Sequence, residues 1–234
     1  IEAAQKKVEG HNFEMRQHVL KYDDVMNYQR KVIYEQRRKV LEGEDLREHY
    51  LGMIEESVDA LVSGYSLNEE DAFKTLSETI TKLFPVSLDG LEDADGEGLS
   101  DTLIERVRAA YLEKEKQINA EPMRSLERMI LLDVVDSKWK DHLRSMDNLR
   151  EGIGLRAYGQ KDPLVEYKRE AYEAFQVMID SIKEDALEFI LRVQPADTEK
   201  IHQAAQARGG QVVTPAILFT AIVPRGPRFR SPKG

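Results

Sequence analysis

The feature that most constrains the fold of this chain is the stretch from Glu2 to Glu42, which contains no proline and a single glycine. Apolar residues recur along it in steps of three and four, the spacing that places side chains on one face of an α-helix. The residues of this stripe are Val8, Met15, Val19, Tyr22, Met26, Ile33 and Val40, and Asn12 and Gln29 interrupt it. We predict one long helix with one buried stripe.

The region from Gly43 to Ala120 predicts three shorter helices. Apolar residues from Leu46 to Leu61 mark the first, and an N-cap at Asn68 opens a second that ends near Phe84 and Pro85. An acidic loop follows, and the third helix is expected over 101–119.

Two long amphipathic helices come next. Pro122 suits the first turn of one, and Asp162 with Pro163 forms an N-cap and first-turn pair for the other. Because only about ten residues join them, we expect an antiparallel hairpin. Its tip carries Leu155, Arg156 and Tyr158 among three glycines; the alternative is a plain connector in which Leu155 and Tyr158 tuck back.

Composition and motifs exclude several kinds of chemistry. The chain has no cysteine, which rules out disulfides and thiolate sites, and it has no Gly-rich phosphate-binding loop. Its five histidines never form a metal motif, and His142 is interpreted as helix surface rather than part of a catalytic dyad. We therefore predict no catalytic, nucleotide or metal site in this chain.

Two charged segments allow further interpretations. Asp93, Asp95, Glu97, Gly98 and Asp101 follow the spacing of a calcium loop, but Ile104 stands where its last glutamate belongs, so a plain acidic loop is favoured.

Basic residues cluster at two places, Arg30, Lys31, Arg37, Arg38 and Lys39, then Lys138, Lys140 and Arg144. A net charge of -9 favours solvated faces, or contacts with protein or anionic lipid, over nucleic acid.

Two long segments resemble the SecA family of bacterial preprotein translocase motors. AQKKVEGHNFEMRQHVLKYDDVMNYQRKVIYEQR is similar to the family's scaffold helix, and LLDVVDSKWKDHLRSMDNLREGIGLRAYGQKDPLVEYKREAYEAF to its two-helix finger. The resemblance implies an all-α fold. Its parts would be the long scaffold helix at 1–42, a helical wing at 43–120, the finger at 121–195 and an irregular tail at 196–234.

The resemblance also implies a role in protein transport. In that family an ATP-driven motor pushes unfolded preproteins through the SecYEG channel. The fingertip residues Leu155, Arg156, Ala157 and Tyr158 would contact the polypeptide. A motor-domain interface would contain the scaffold residues Arg16, Tyr22, Asp23 and Asp24.

Further implied partners are the signal peptide, the nucleotide-binding domains of the same protein, a second copy and an anionic membrane surface. The implied location is the cytoplasm, peripherally at the inner face of the plasma membrane. ATP and magnesium are implied for the full-length family protein, and none for this segment.

The chain is interpreted as a fragment of such a protein, inactive alone. VPRG at 223–226 resembles a protease tag, so the tail is either a cloning addition or a fused substrate-like peptide. Two other functions stay open from the residues: a helical scaffold that binds partners without a transport role, and a nucleic-acid-binding helical protein.

Overall fold

A computed structural model describes residues 2–43, 45–64, 72–92, 94, 96–154 and 162–193. All regular structure in these ranges is helical. The helices are α1 (Glu2–Glu42), α2 (Leu46–Gly64), α3 (Ala72–Leu83), α4 (Gly96–Ile118), α5 (Ala120–Gly152) and α6 (Pro163–Arg192). This confirms the all-α prediction. The tail predicted at 196–234, the Asn68 N-cap and the acidic residues Asp93 and Asp95 lie outside the described residues.

The helix boundaries follow local signals. Asp162 caps α6, because its carboxylate accepts a hydrogen bond from the Leu164 backbone N–H at 2.8 Å. Asn119, with a φ of 75°, separates α4 from α5 in the left-handed conformation that asparagine tolerates. Pro122 lies in the first turn of α5, as predicted.

The predicted start of the third short helix was wrong. That helix, α4, begins at Gly96, five residues before Asp101, so Glu97, Gly98 and Asp101 are helical and do not form a calcium loop. The acidic side chains here suit a helix N-terminus, where the macrodipole favours negative charge. The described residues contain no group of three metal-ligating side chains.

The chain divides into two compact units. Unit 1 comprises Ile1–Glu44 and Val135–Ile182, and unit 2 comprises Asp45–Val134 and Lys183–Gly234. Both long helices contribute to both units: α5 divides near its middle, whereas two thirds of α6 belong to unit 1. The boundaries predicted for scaffold, wing and finger stay a prediction.

Unit 1 is a bundle of three helix segments. Residues 138 and 181, and residues 142 and 175, are paired across α5 and α6, so these two helices are antiparallel. The prediction of a hairpin is thus confirmed. Helices α1 and α5 are antiparallel too, since ion pairs join residue 23 to residue 150 and residue 37 to residue 136.

Unit 2 is built around α2 and α4. These helices run antiparallel, since Tyr50 stacks on Tyr111 with ring centroids 6.3 Å apart and the Ser100 hydroxyl donates to Asp59. Apolar side chains from α2 to α5, and from the part of α6 in this unit, fill the core. Its fully buried members include Tyr50, Ile54, Val58, Leu76, Ile80, Leu99, Leu103, Val107, Met123 and Ile130.

Candidate functional site

The hairpin tip is the candidate site that the sequence favours most strongly. Leu155, Arg156, Ala157 and Tyr158 lie outside the described residues. The structure describes the base of the tip: α5 ends at Gly152, a 3₁₀ turn covers Ile153 and Gly154, and α6 begins at Pro163. The structure therefore describes only the two helix ends that flank these four residues.

An apolar cluster joins this base to α1. Tyr22 of α1 packs against Tyr167 of α6, with ring centroids 4.9 Å apart. Ile153, beside the tip, is 4% exposed and belongs to the same cluster, together with Met146 and Ala171. The chain segment that enters the tip is thus anchored on the long helix by apolar burial.

The four predicted interface residues of α1 differ in their surroundings. Tyr22 is buried inside unit 1, and Asp23 forms an ion pair with Arg150 of α5 at 2.9 Å. Arg16 and Asp24 are exposed. Two of the four residues thus hold unit 1 together, and two face solvent in this chain.

The predicted stripe of α1 is buried along only half of its length. Ile33 and Val40 are buried, but Val8 and Val19 are 59% and 45% exposed. Phe13 and Leu20, on another face, are also more than half exposed. The expectation of one buried stripe was therefore wrong for the first half of α1, which exposes several apolar side chains.

A buried polar contact connects α1 to the hairpin. The Gln29 amide N–H donates to the Ala171 carbonyl at 3.0 Å, and Gln29 Oε1 lies 2.9 Å from His142 Nε2. The His142 ring lies between Trp139 and Phe175, with centroids 5.6 and 5.7 Å away. Burial lowers the pKa of His142, so the neutral ring that donates from Nε2 is favoured.

The interpretation of His142 as helix surface was wrong, since only 5% of the residue is exposed. Gln29, which the sequence suggested as an interruption of the stripe, is 3% exposed. One sequence signal points to both residues: each is a polar side chain at an apolar position of a helical repeat.

The predicted basic cluster on α1 has its own carboxylate partners. Arg37 pairs with Asp136 at 3.2 Å, Arg38 with Glu42 at 2.6 Å, and Lys31 with Glu35 at 4.0 Å. These pairs reduce the positive field of this face. The arrangement gives no support to a nucleic-acid-binding surface, which needs a net excess of cations.

The three cations of the second basic cluster, on α5, have different surroundings. Lys138 donates to the Ser181 hydroxyl at 2.6 Å inside the hairpin, and Arg144 pairs with Asp141 at 2.8 Å. Lys140 is exposed. The three cations do not present one common surface for a polyanion.

Unit 2 contains a polar network that the sequence did not suggest. Glu127 is fully buried; its Oε1 accepts a hydrogen bond from Tyr111, and its Oε2 lies 3.0 Å from Arg124. The Tyr50 hydroxyl donates to the Glu127 carbonyl at 3.1 Å. Burial raises the pKa of Glu127 to about 7, against the lowering effects of Tyr111 and Arg124. The network links α2, α4 and α5.

Comparison with known proteins gives the family. The family described as "SecA Wing and Scaffold domain" matches residues 1–194. A protein translocase subunit SecA from Pelotomaculum thermopropionicum is 51% identical over 213 residues, covering 87% of this chain and 24% of the relative. Those from Desulforamulus reducens and Thermodesulfovibrio yellowstonii are 48% and 43% identical, covering 84% and 87% of this chain and 23% of each relative.

This chain therefore spans about a quarter of the length of these curated relatives. The match includes both segments whose resemblance was noted, the long helix and the hairpin, with the residues between them. The chain belongs to the SecA family, and it corresponds to that family's wing and scaffold domain.

Proposed function

We propose that this chain is the scaffold and finger portion of a motor that moves unfolded preproteins through a membrane channel. The observation that carries the proposal is the similarity to translocase subunits, at 43 to 51% identity over most of the chain. In this proposal the α5–α6 hairpin contacts the polypeptide, and α1 connects the hairpin to further domains of a longer protein.

The packing of unit 1 supports a role for the hairpin as a stiff lever. The Asp23–Arg150 and Arg37–Asp136 ion pairs and the buried Gln29 contact fix α1 against it at several points along its length. A displacement of α1 would therefore be transmitted to the hairpin rather than absorbed by bending.

The chemistry of the tip residues suits a substrate of varied sequence. Tyr158 combines an apolar ring with one hydroxyl, so it can contact apolar side chains and backbone groups alike. Leu155 and Arg156 add an apolar and a cationic contact, and Ala157 adds little bulk. No part of this set requires a particular substrate sequence.

The exposed first half of α1 supports an interface with domains outside this chain. Phe13 and Leu20 are 61% and 58% exposed, with Arg16 between them on the helix. We assign this surface, with Arg16 and Asp24, to contact with the nucleotide-binding domains of the longer protein. Tyr22 and Asp23 would contribute by holding the hairpin to the same helix.

ATP hydrolysis belongs, in this proposal, to segments outside this chain. The chain's residues do not suit a nucleotide: it has no phosphate-binding loop. ATP and magnesium are therefore proposed only for the longer protein.

The proposed partners are the SecYEG channel, the preprotein with its signal peptide, a second copy of the protein and an anionic membrane surface. The proposed location is the cytoplasmic side of the plasma membrane, with peripheral attachment. Among the described helices, none combines the length and the apolar character needed to cross a bilayer.

Replacement of the tip tyrosine in the full-length protein tests the proposal. Tyr158→Ala removes the ring that contacts the polypeptide, so transport of a preprotein into membrane vesicles should fall severalfold. Tyr172→Ala is the matched control, because Tyr172 is a 64% exposed tyrosine on the same hairpin. Transport by the Tyr158 variant at the parent's rate, with the control also active, would refute the assignment.

A further inference from the structure

One face of α1 has a seven-residue repeat in its sequence. Two series occur, Met15, Tyr22 and Gln29 in one, and Val19, Met26 and Ile33 in the other. Within these six positions, such a repeat presents mostly apolar side chains at a spacing of seven residues. A helix packed on it could therefore lie in more than one register.

The face of α5 that carries His142 has the same repeat. Its series are Val135, His142 and Leu149, and Trp139, Met146 and Ile153. His142 is the one polar residue among these six positions, just as Gln29 is among the six of α1. The two polar residues meet: Gln29 Oε1 and His142 Nε2 are 2.9 Å apart in the buried interior of unit 1.

A second register is available on the described part of α1. Val19 and Val8 belong to the same face but are 45% and 59% exposed. If the hairpin moved by seven residues toward the α1 N-terminus, it would cover Val19, and the apolar contacts would be exchanged for similar ones. Apolar burial alone therefore discriminates poorly between the two registers.

The contact between Gln29 and His142 does discriminate between the two registers. After such a shift, His142 would face Tyr22, and Gln29 would face Val135. The Gln29 amide would then be buried among apolar side chains without the His142 ring or the Ala171 carbonyl. An unpaired buried amide is costly, so the shifted register is disfavoured. A single buried polar residue is known to fix register in this way in coiled coils.

We propose that Gln29 and His142 are positioning residues that fix the register of the α5–α6 hairpin on α1. The register decides how far the Gly152 end of the hairpin reaches along α1. If the proposed function is correct, it also decides where the tip residues meet the polypeptide; only this last step rests on that function.

Two ion pairs favour the same register from the surface. After the shift Arg150 would leave Asp23 and face Arg16, so like charges would meet. However, the side chains of the Asp23–Arg150 pair are 42% and 45% exposed, and those of the Arg37–Asp136 pair are 38% and 42% exposed. Because exposed pairs contribute little, the buried pair should dominate.

Distances between two spin labels on the whole chain test the proposal. The chain has no cysteine, so Lys39→Cys on α1 and Lys168→Cys on α6 give unique attachment sites. Both side chains are exposed. A shift of seven helical residues would lengthen the distance between the labels by up to about 10 Å.

The informative variant carries Gln29→Leu and His142→Leu together. Removing both partners leaves no orphaned side chain, so the bundle should keep its helical content while losing its register signal. Gln36→Leu is the matched control, since Gln36 follows Gln29 by seven residues but is exposed. Asp23→Asn is the second control, because it removes an ion pair and leaves the buried pair in place.

We expect one distance in the parent and in both controls, and a second, longer distance in the double variant. A single parent-like distance in the folded double variant would overturn the proposal. So would a second distance in Asp23→Asn, because surface charge would then set the register. If the double variant does not fold, Gln29→Met alone is measured, and a single distance there likewise overturns it. None of these outcomes depends on transport, so they test the register separately from the proposed function.

Discussion

At the residue scale, Glu127 is a buried carboxylate of unit 2 with a raised pKa. Its carboxylate is buried against Tyr111 and Arg124, and Arg124 also pairs with Glu115 of α4. Burial nevertheless raises its pKa from 4.5 to about 7. The charged form is thus less favourable in the fold than in the unfolded chain.

This shift predicts how the stability of unit 2 depends on pH. Because the pKa is higher in the folded state, the stabilisation is complete below about pH 4.5 and is lost as the pH rises through about 7. Each unit of pKa difference corresponds to about 1.4 kcal/mol, so the loss is about 3 kcal/mol at most. The glutamine in Glu127→Gln cannot titrate, so this variant should not show the loss of stability with rising pH.

Urea unfolding of parent and variant between about pH 5.5 and 8 measures this difference. The free energy of unfolding of the parent should fall relative to Glu127→Gln as the pH rises. Glu48→Gln, at an exposed position of α2, is the control and should follow the parent. A constant difference between parent and Glu127→Gln across this range would contradict the assignment.

Residue roles were the least predictable feature of the sequence. The sequence predicted Gln29 to interrupt the apolar stripe and His142 to lie on the helix surface. Both roles depend on the partner from the neighbouring helix, which a pattern along one helix does not show. Glu127 gave no signal, since two of its three partners are distant in the sequence: Tyr111 is 16 residues away and Tyr50 is 77 away. Contacts of this kind depend on packing rather than on local sequence.

At the element scale, local signals located most helices well. The stretch from Glu2 ends at Gly43, which has a positive φ, and α1 ends just before it. Asp162 with Pro163 marks the start of α6. Gly96 and Gly98 suggested a loop, yet α4 starts there. The burial of Leu99 and Leu103 explains this helical start, because tertiary packing commonly overrides the weak helix propensity of glycine.

The cap of α6 gives a prediction for this element. Asp162→Ala removes the acceptor of the Leu164 N–H and should destabilise unit 1 by about 1 kcal/mol. Trp139 is the only tryptophan and lies in unit 1, so its fluorescence during urea unfolding reports this unit. Asp162→Asn keeps a capping oxygen and should stay within a few tenths of a kcal/mol of the parent. Equal stability of Asp162→Ala and the parent would exclude a capping role.

At the scale of the whole chain, the sequence predicts the class of fold but not its partition. Helical periodicity and a short connection were sufficient for an all-α chain with a hairpin. The two units divide α5 and α6 between them, which a linear pattern cannot show, because each helix is continuous across the division. The exposed first half of α1 was not predictable either, since the same stripe continues through its buried half.

The central claim is that the hairpin tip contacts the moving polypeptide. The most direct measurement places a photo-crosslinking amino acid at position 158 of the full-length protein and arrests a preprotein during ATP-driven transport. We expect a crosslink from position 158 to the preprotein and none from position 172, the exposed site on the same hairpin. A preprotein crosslinked from position 172 but not from position 158 would contradict it.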